Sequence, residues 1–298
     1  MNFNVFCNGD TPEGNLRNFC MLIFHSLTDL GHNVVFERQW LPSPFINIIL
    51  NPMFAVKHQR KEFEEIIRNK IPYALMDYEI FCIDSFNHGH FPLNVEETIF
   101  IKELIKNASF VWTSVHENFK NYGKFNEKTF HIRYGYHEKA YEIPRAKEKM
   151  IDVFFFGTFQ GQGETQFFRQ GVLRLLQEAG LSVYAQGCGT SVHSRNSFIR
   201  LARINLDIPH LPPFSSVSPQ RTVYLANNGE CSISLPTEDP EGYLKYARVF
   251  QIGELVDGCH TWISRKEYQT EGERVLELLK TDPMVNILEH ILDATFAH

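Results

Sequence analysis

The chain contains the same local pattern twice: a short, mostly apolar run ends in a glycine and leads into an amphipathic helix. The first run covers residues 3–9, and the second covers residues 151–157, roughly 150 residues later. Such a run predicts a strand that is buried on both faces of a parallel sheet. The helices that follow are predicted to stop at Gly31 and Gly180, because glycine is favoured just past a helix end. Two such openings predict two α/β domains that face each other across a cleft.

Strand and helix patterns alternate along the whole chain. The strands predicted after the first opening are residues 34–36, 46–50, 73–76, 110–114 and 129–133. Those predicted for the second half are residues 152–156, 181–185, 203–207, 230–235 and 249–252. The predicted helices include residues 57–69, 96–106, 116–122 and 284–295, and residues 81–93 are predicted to form an irregular loop. This alternation predicts the α/β class, with two parallel sheets that each carry helices on both faces.

The length of the chain also favours two domains. A chain of 298 residues exceeds the usual size of a single hydrophobic core. Pro144 and the charged run at 145–149 form the best linker candidate. We therefore predict Rossmann-like domains at residues 1–145 and 146–283, followed by a terminal segment, 284–298, whose helix packs back across the domains.

Composition excludes several classes of protein. The net charge of −6 argues against a protein that coats nucleic acid. Six cysteines without a Cys-x-x-Cys pair are typical of buried free thiols in a reducing, cytoplasmic setting. The polar residues near the start argue against a signal peptide, and no apolar run is long enough to predict a transmembrane helix.

Five motifs follow one another between residues 134 and 234. They are Tyr-Gly-Tyr at 134–136, Asp-Val-Phe-Phe-Phe-Gly at 152–157, a strand with a glycine turn at 181–187, the strand Ala-Arg-Ile-Asn-Leu-Asp-Ile at 202–208, and an arginine-bearing helix with an Asn-Gly turn and strand at 218–234. Together they resemble the GT-B glycosyltransferases, in particular the bacterial and phage group that includes spore-maturation-type proteins. The resemblance covers residues 108–256 and is only general over residues 1–107.

The resemblance implies an enzyme that moves a sugar from a nucleotide-diphosphate donor to an acceptor hydroxyl. It implies no metal and no cofactor, with a UDP-linked donor as the first choice. The first domain would bind the acceptor and the second domain the donor. The chain lacks the Glu-x7-Glu pattern of the retaining subgroup, so both stereochemical outcomes stay open. The sequence does not specify the donor sugar, the oligomeric state, or whether the acceptor is a saccharide, a protein, a small molecule or DNA.

Two alternatives accompany this interpretation. In the first, the acceptor is a hydroxylated base in phage DNA, which would require a basic groove on the first domain. In the second, the protein binds a nucleotide-sugar and has lost catalysis, because no catalytic base stands out in the sequence.

The donor site is predicted where strands of the second domain end, because open α/β sheets bind ligands at that edge. Arg221 is the strongest candidate, since it follows a predicted helix start at Ser218 and a cation there would stabilise a diphosphate. A glycine at the end of the first strand lets a ligand approach the backbone closely. The complete set of predicted donor-binding residues is Gly157, Thr158, Gln186, Gly187, Ser218, Arg221, Thr222, Glu238, Glu241 and Tyr243.

An inverting reaction needs a base that accepts the proton of the acceptor hydroxyl. Asp10, in the first glycine loop, is our first candidate and Asp77, at the end of a strand, is the second. A helix-capping role explains Asp10 comparably well. Gly9, Asp10 and Tyr136 are the predicted acceptor-binding residues. Asp84, His88 and His90 match no zinc signature, so no metal site is predicted.

Overall fold

A computed structural model describes residues 1–7, 17–37, 39–86, 91–140, 142–187, 190–211 and 217–297 of the chain. These residues form two compact units. The first unit consists of the described residues within 1–12, 19–134 and 284–298, and the second of those within 13–18 and 135–283. The linker candidate at 144–149 therefore belongs to the second unit, and the terminal segment belongs to the first.

The first unit is built on a six-stranded sheet in which every neighbouring pair of strands is parallel. Its order is β2-β1-β3-β4-β8-β9, and a three-stranded antiparallel sheet, β5-β6-β7, lies within the same unit. The strands are β1 (Asn2–Cys7), β2 (Asn33–Val35), β3 (Phe45–Leu50), β4 (Tyr73–Asp77), β5 (Phe81–Cys82), β6 (Ser85–Phe86), β7 (Phe91–Pro92), β8 (Val111–Thr113) and β9 (Thr129–His131).

Helices connect the strands of the first unit. They are α1 (Arg17–Asp29), α2 (Pro52–His58), α3 (Arg60–Arg68), α4 (Val95–Asn107) and α5 (His116–Gly123). The amphipathic pattern of α3 explains its burial: Phe63 and Ile66 are buried, one helical turn apart on the same face. The core of this unit contains fully buried side chains from β3, β4, β8, α3 and α4.

The second unit contains a five-stranded sheet whose strands are also parallel, in the order β11-β10-β12-β13-β14. Its strands are β10 (Ile151–Phe156), β11 (Val183–Gln186), β12 (Ala202–Asp207), β13 (Ser232–Ser234) and β14 (Arg248–Val249). Its helices are α6 (Glu164–Glu178), α7 (Val192–Leu201), α8 (Pro219–Asn227), α9 (Leu255–Ser264) and α10 (Glu267–Lys280). Two apolar clusters pack against β10 and β12.

The last helix, α11 (Met284–Phe296), packs inside the first unit. The indole nitrogen of Trp112 on β8 donates a hydrogen bond of 3.2 Å to Oγ1 of Thr295. The ring of Phe296 contacts the ring of Phe110 edge-on, with 5.6 Å between the centroids. Within the described ranges, no helix has the length and apolar character needed to cross a membrane.

Two asparagines at the end of α8 hold the segment that enters the second unit. The Asn227 side chain accepts a hydrogen bond from the backbone amide of His137 at 3.0 Å and donates one to its carbonyl oxygen at 3.3 Å. The Asn228 side chain accepts from the amides of Glu142 and Ile143 at 3.0 and 2.9 Å. Because Ile143 is fully buried, this segment is packed onto the unit rather than loosely tethered to it.

The parallel α/β class predicted for both halves is confirmed. The main differences concern short elements. The predicted helix at 57–69 is two helices, α2 and α3, separated by Gln59. The predicted loop at 81–93 contains the three strands β5, β6 and β7, each two residues long. Strands of that length are too short to give a periodic sequence pattern.

Candidate functional site

The carboxyl ends of β10, β12 and β13 meet the start of α8 at one edge of the second sheet. Gly157 follows β10, and its amide donates to the carbonyl oxygen of Gln186 at 3.0 Å. Asp207 ends β12, and its carbonyl oxygen accepts from the amide of Leu235, just after β13, at 3.2 Å. Parallel strands place their carboxyl ends at a common edge, which is where α/β sheets bind ligands.

Arg221, in the first turn of α8, is the central side chain of this edge. Its Nη1 donates to Oδ1 of Asp207, and the two side chains are 11% and 2% exposed. The guanidinium carbon lies 5.5 Å from the ring centroid of Phe155 and 5.0 Å from that of Phe156, within the range of a cation–π contact. We call Arg221, Asp207, Phe155, Phe156 and Gly157 the Arg221 site.

Part of this buried ion pair has no partner. Arg221 Nε and Asp207 Oδ2 are both buried without a hydrogen bond, and Asp207 is the one described residue that accepts from the guanidinium. A guanidinium has five N–H donors. Most of its donors are therefore not used by the described part of the protein, and each unsatisfied buried polar group calls for an explanation.

Gly157 allows the guanidinium to lie against the backbone. Its φ of +151° is one that residues with a side chain rarely adopt, and a Cβ placed there would lie 2.8 Å from Nη2 of Arg221. The backbone angle therefore favours glycine, and a side chain here would also force the guanidinium to shift. This gives a physical reason for the glycine that ends the second apolar run of the sequence.

Arg169, on α6, fixes two loops at the same edge. It is 3% exposed, and its Nη1 donates to the carbonyl oxygen of Thr158 at 2.7 Å. Its Nε and Nη2 donate to the carbonyl oxygen of Ile208 at 3.0 and 2.8 Å. The sequence interpretation missed this residue. The available signal was an arginine at the helical spacing of the buried Val172, Leu173 and Leu176.

Arg195, on α7, was also missed. Its guanidinium carbon lies 5.4 Å from the ring centroid of Phe156 and 4.9 Å from that of Tyr224. Phe156 thus contacts two guanidinium groups from two helices. Together with Arg169, three arginines surround the end of β10, so this edge concentrates positive charge.

The other predicted donor residues lie at or near this edge. Gln186 ends β11, and its Nε2 donates to Ser194 Oγ at 2.9 Å. The carbonyl oxygen of Gly187 accepts from Thr190 Oγ1 at 2.6 Å. Ser218 is the residue at the N-cap of α8, as predicted, but its side chain makes no capping bond. Thr222 is fully buried, and its Oγ1 has no hydrogen-bond partner.

The acidic loop after β13 is ordered by a residue that was not predicted as part of the site. The Asp239 carboxylate accepts from the amides of Tyr243 and Leu244 at 2.8 and 2.6 Å. Tyr243 is fully buried in the unit, whereas Glu238 is exposed and Glu241 is half-buried. Donor contacts by these residues stay predictions.

Of the predicted acceptor and catalytic residues, Gly9 and Asp10 lie outside the described residues. Tyr136 is half-buried in the second unit, and its amide donates to the carbonyl oxygen of Asp282 at 2.8 Å. Its role in acceptor binding stays a prediction. Within the described ranges, no three His, Cys, Asp or Glu side chains come together as a metal site.

Asp77 lies at the end of β4 and is fully buried. Its Oδ2 accepts from the Tyr122 hydroxyl and, at 3.4 Å, from the Asn118 amide group. Its Oδ1 accepts from the backbone amide of Glu79 at 3.0 Å. Burial raises the pKa of Asp77 to about 7, although the bonds from Tyr122 and from the Glu79 amide act in the opposite direction. The proposed role of this carboxyl as a base stays a prediction.

The raised pKa of Asp77 predicts a pH dependence of stability. The folded protein keeps this proton up to about pH 7, whereas an unfolded chain releases it near pH 4. The carboxyl therefore favours folding most strongly below about pH 4, and this contribution is lost as the pH rises through about 7. Asp77→Asn stays neutral, so its free energy of unfolding should rise relative to wild type by about 2–4 kcal/mol over this range.

Urea denaturation of both proteins at several pH values would measure this difference. Asp293→Asn removes an exposed carboxylate from α11 of the same unit and is the control. A difference between Asp77→Asn and wild type that stays constant from pH 4 to 8 would contradict the expectation.

Comparison with known proteins gives matches to solved structures alone. No family model matches the sequence, and no curated protein matches it. The structure is similar to WaaG, a glycosyltransferase involved in lipopolysaccharide biosynthesis, with a TM-score of 0.53 and 12% identity over the full length of both chains. It is also similar to a mutant of S. aureus TarM in complex with fondaparinux, alpha-GlcNAc-glycerol and UDP, with a TM-score of 0.55 and 9% identity. These neighbours are GT-B glycosyltransferases. The chain has the GT-B fold.

The GT-B fold is the predicted one, with two Rossmann-like domains built on parallel sheets. The match to TarM covers 85% of this chain and 55% of TarM, so the chain spans about half the length of that relative. OtsA, with a TM-score of 0.50 and 10% identity, matches 92% of this chain and 76% of its own. At these identities the likeness concerns the GT-B fold alone.

Proposed function

We propose that this protein is a glycosyltransferase that moves a sugar from a nucleoside-diphosphate donor to an acceptor hydroxyl. The donor diphosphate would bind at the Arg221 site. The observation that supports this most is a nearly buried guanidinium, at the ligand-binding edge of a GT-B domain, with N–H donors that no described residue accepts.

The chemistry of the donor fits this cation. In the transfer, the bond between the anomeric carbon and the diphosphate oxygen breaks, and the leaving nucleoside diphosphate gains negative charge. A guanidinium can donate two parallel hydrogen bonds to a phosphate. Hydrogen-bond donors aimed at developing charge in a site shielded from water are among the largest contributions to catalysis.

The first turn of α8 supports the same assignment. The Ser218 side chain makes no capping bond, but its carbonyl oxygen accepts from the amides of Arg221 and Thr222 at 3.1 and 3.0 Å. Pro219 has no N–H, so the Gln220 amide is the one that this first turn could offer a ligand, in addition to the helix dipole. Helix N-termini attract anions through their free amides and the helix dipole. We therefore include Ser218 and Thr222 with Arg221, together with Gly157, which lies next to Nη2 of Arg221, and Thr158, which follows it. Gln186 and Gly187 would lie toward the nucleotide.

UDP is the first donor nucleotide to test, because one of the similar structures contains it. We propose a reaction that needs no metal, in which the Arg221 guanidinium and the dipole at the N-terminal end of α8 stabilise the leaving diphosphate. Asp10 remains the first candidate for the base that accepts the proton of the acceptor hydroxyl.

A thermal-shift screen with UDP-, GDP-, dTDP- and CMP-linked sugars tests this proposal. A donor that binds only the folded protein raises the melting temperature as its concentration exceeds the dissociation constant. We expect at least one diphosphate-linked sugar to stabilise the protein, and CMP-linked sugars, which carry a single phosphate, to have little effect. The absence of any shift at millimolar concentrations of every donor would overturn the proposal. Binding without transfer or hydrolysis over long incubation would instead indicate a protein that has lost catalysis.

A further inference from the structure

Asp207 is a buried carboxylate whose second oxygen has no partner. It is 1% exposed, Oδ1 accepts from Arg221, and Oδ2 makes no hydrogen bond. The nearby helix residue Thr222 likewise has a buried Oγ1 without a partner. Leaving a buried carboxylate oxygen unpaired is unfavourable for stability. Apolar residues in place of both Asp207 and Arg221 would avoid that penalty, so the buried pair calls for a functional explanation.

The Arg221 guanidinium is held in one orientation. Asp207 binds Nη1, Phe155 and Phe156 lie 5.5 and 5.0 Å from the guanidinium carbon, and Nη2 lies next to Gly157. Aromatic rings and a glycine restrict the position of the group but leave its charge unchanged. Asp207 is the one described contact that also supplies a full negative charge. The ion pair is therefore close to neutral before any ligand binds.

We propose that Asp207 is a positioning residue that also limits the affinity of the Arg221 site for the diphosphate product. The inference rests on the proposed function. A nucleoside diphosphate released by transfer carries more negative charge than the nucleotide-sugar from which it came. An unbalanced arginine would therefore bind the product more tightly, relative to the donor, than the balanced pair does. By opposing the charge of Arg221, Asp207 keeps the product exchangeable while the orientation of the guanidinium is preserved.

Asp207→Asn separates these two effects, because asparagine keeps a side-chain oxygen for Nη1 and removes the charge. The probes are UDP and inorganic pyrophosphate, and the dissociation constants are measured by calorimetry on the full chain. We expect Asp207→Asn to bind both probes about tenfold more tightly than wild type, with a stronger dependence on salt.

Asp207→Glu keeps the negative charge. Its affinity for UDP and pyrophosphate should therefore not increase.

Glu230→Gln is the matched control. Glu230 is also a buried acid of the second unit, 3% exposed, and it pairs with Lys149 at 2.5 Å. It precedes β13, whereas Asp207 ends β12, so it lies toward the opposite edge of the same sheet. Its neutralisation removes one unit of charge away from the Arg221 site. We expect the affinity for UDP and pyrophosphate to stay at the wild-type value.

Whether Asp207→Asn binds pyrophosphate more tightly or more weakly than wild type decides between the proposed role and a merely structural one. A merely structural role predicts that Asp207→Asn binds pyrophosphate more weakly or equally, and either result in a folded variant overturns the inference. If Asp207→Asn does not fold, Asp207→Thr is the second neutral variant, since threonine suits a strand, and the same increase is expected. A wild-type protein that binds pyrophosphate but no nucleoside diphosphate would overturn the proposed function, and the role of Asp207 would then be decided with pyrophosphate alone. A wild type and a neutral variant that both fail to bind UDP and pyrophosphate would overturn both proposals.

Discussion

Arg221→Ala is expected to lower the rate of sugar transfer at least 100-fold. The variant loses the cation nearest to the proposed diphosphate, and removal of one donor to developing charge typically costs about 100- to 1000-fold in turnover. Turnover is measured with the donor that gives the largest thermal shift and the acceptor under test. Arg174→Ala, which removes an exposed arginine from α6 of the same unit, should keep wild-type turnover.

Arg221→Ala is also expected to be less stable than wild type. Alanine at 221 leaves Asp207 as a buried carboxylate without its partner, and breaking a buried ion pair commonly costs about 3–5 kcal/mol. The double variant Arg221→Gln with Asp207→Asn removes both charges. We expect it to melt closer to wild type than Arg221→Ala does, and still to lack transfer activity. Near-normal turnover in either folded variant would refute the assignment of Arg221.

Gly157→Ala is expected to weaken donor binding strongly although it replaces no charged residue. A Cβ at this position would lie 2.8 Å from Nη2 of Arg221, and the backbone has a φ of +151°. The guanidinium must therefore move away from β10 or the loop must change conformation. Residues forced into such backbone regions cost about 1–3 kcal/mol each. We expect the thermal shift produced by the donor to be lost, together with a lower melting temperature of the free protein.

Gly171→Ala is the matched control for this variant. Gly171 lies within α6, and a Cβ there meets no atom within 4 Å. Alanine should stabilise the helix by about 1 kcal/mol and leave the donor-induced shift unchanged. If Gly157→Ala binds the donor as well as Gly171→Ala does, Gly157 is not part of the binding site.

The sequence alone predicted the elements that have strong periodic patterns. The apolar run at 151–157 became β10 and Gly157, and the Ser-Pro pair at 218–219 marked the start of α8. These features depend on residues that are close together in the sequence, and therefore the sequence alone can predict them. The placement of Arg221 in the first turn of α8 was predicted for the same reason.

The partners of Arg221 could not be predicted in this way. Asp207 was included in a predicted strand, but its pairing with Arg221 depends on the order of strands in the sheet. Arg169 and Arg195 reach the end of β10 from two other helices. Such contacts arise from tertiary packing, which local patterns do not specify. Asp77 was placed correctly at a strand end, whereas its complete burial depends on Tyr122 and Asn118 from α5.

Helix α8 is one continuous helix that runs from the Arg221 site to the first residues of the second unit. Its nine residues span about 13 Å, with Arg221 in the first turn and Asn227 in the last. Asn227 and Asn228 hold the amides of His137, Glu142 and Ile143, a few residues after the chain crosses from the first unit at 134–135. An axial shift of α8 would therefore change the geometry of these hydrogen bonds. We expect the hydrogen-exchange rates of those three amides to change on ligand binding if the ligand at Arg221 moves α8.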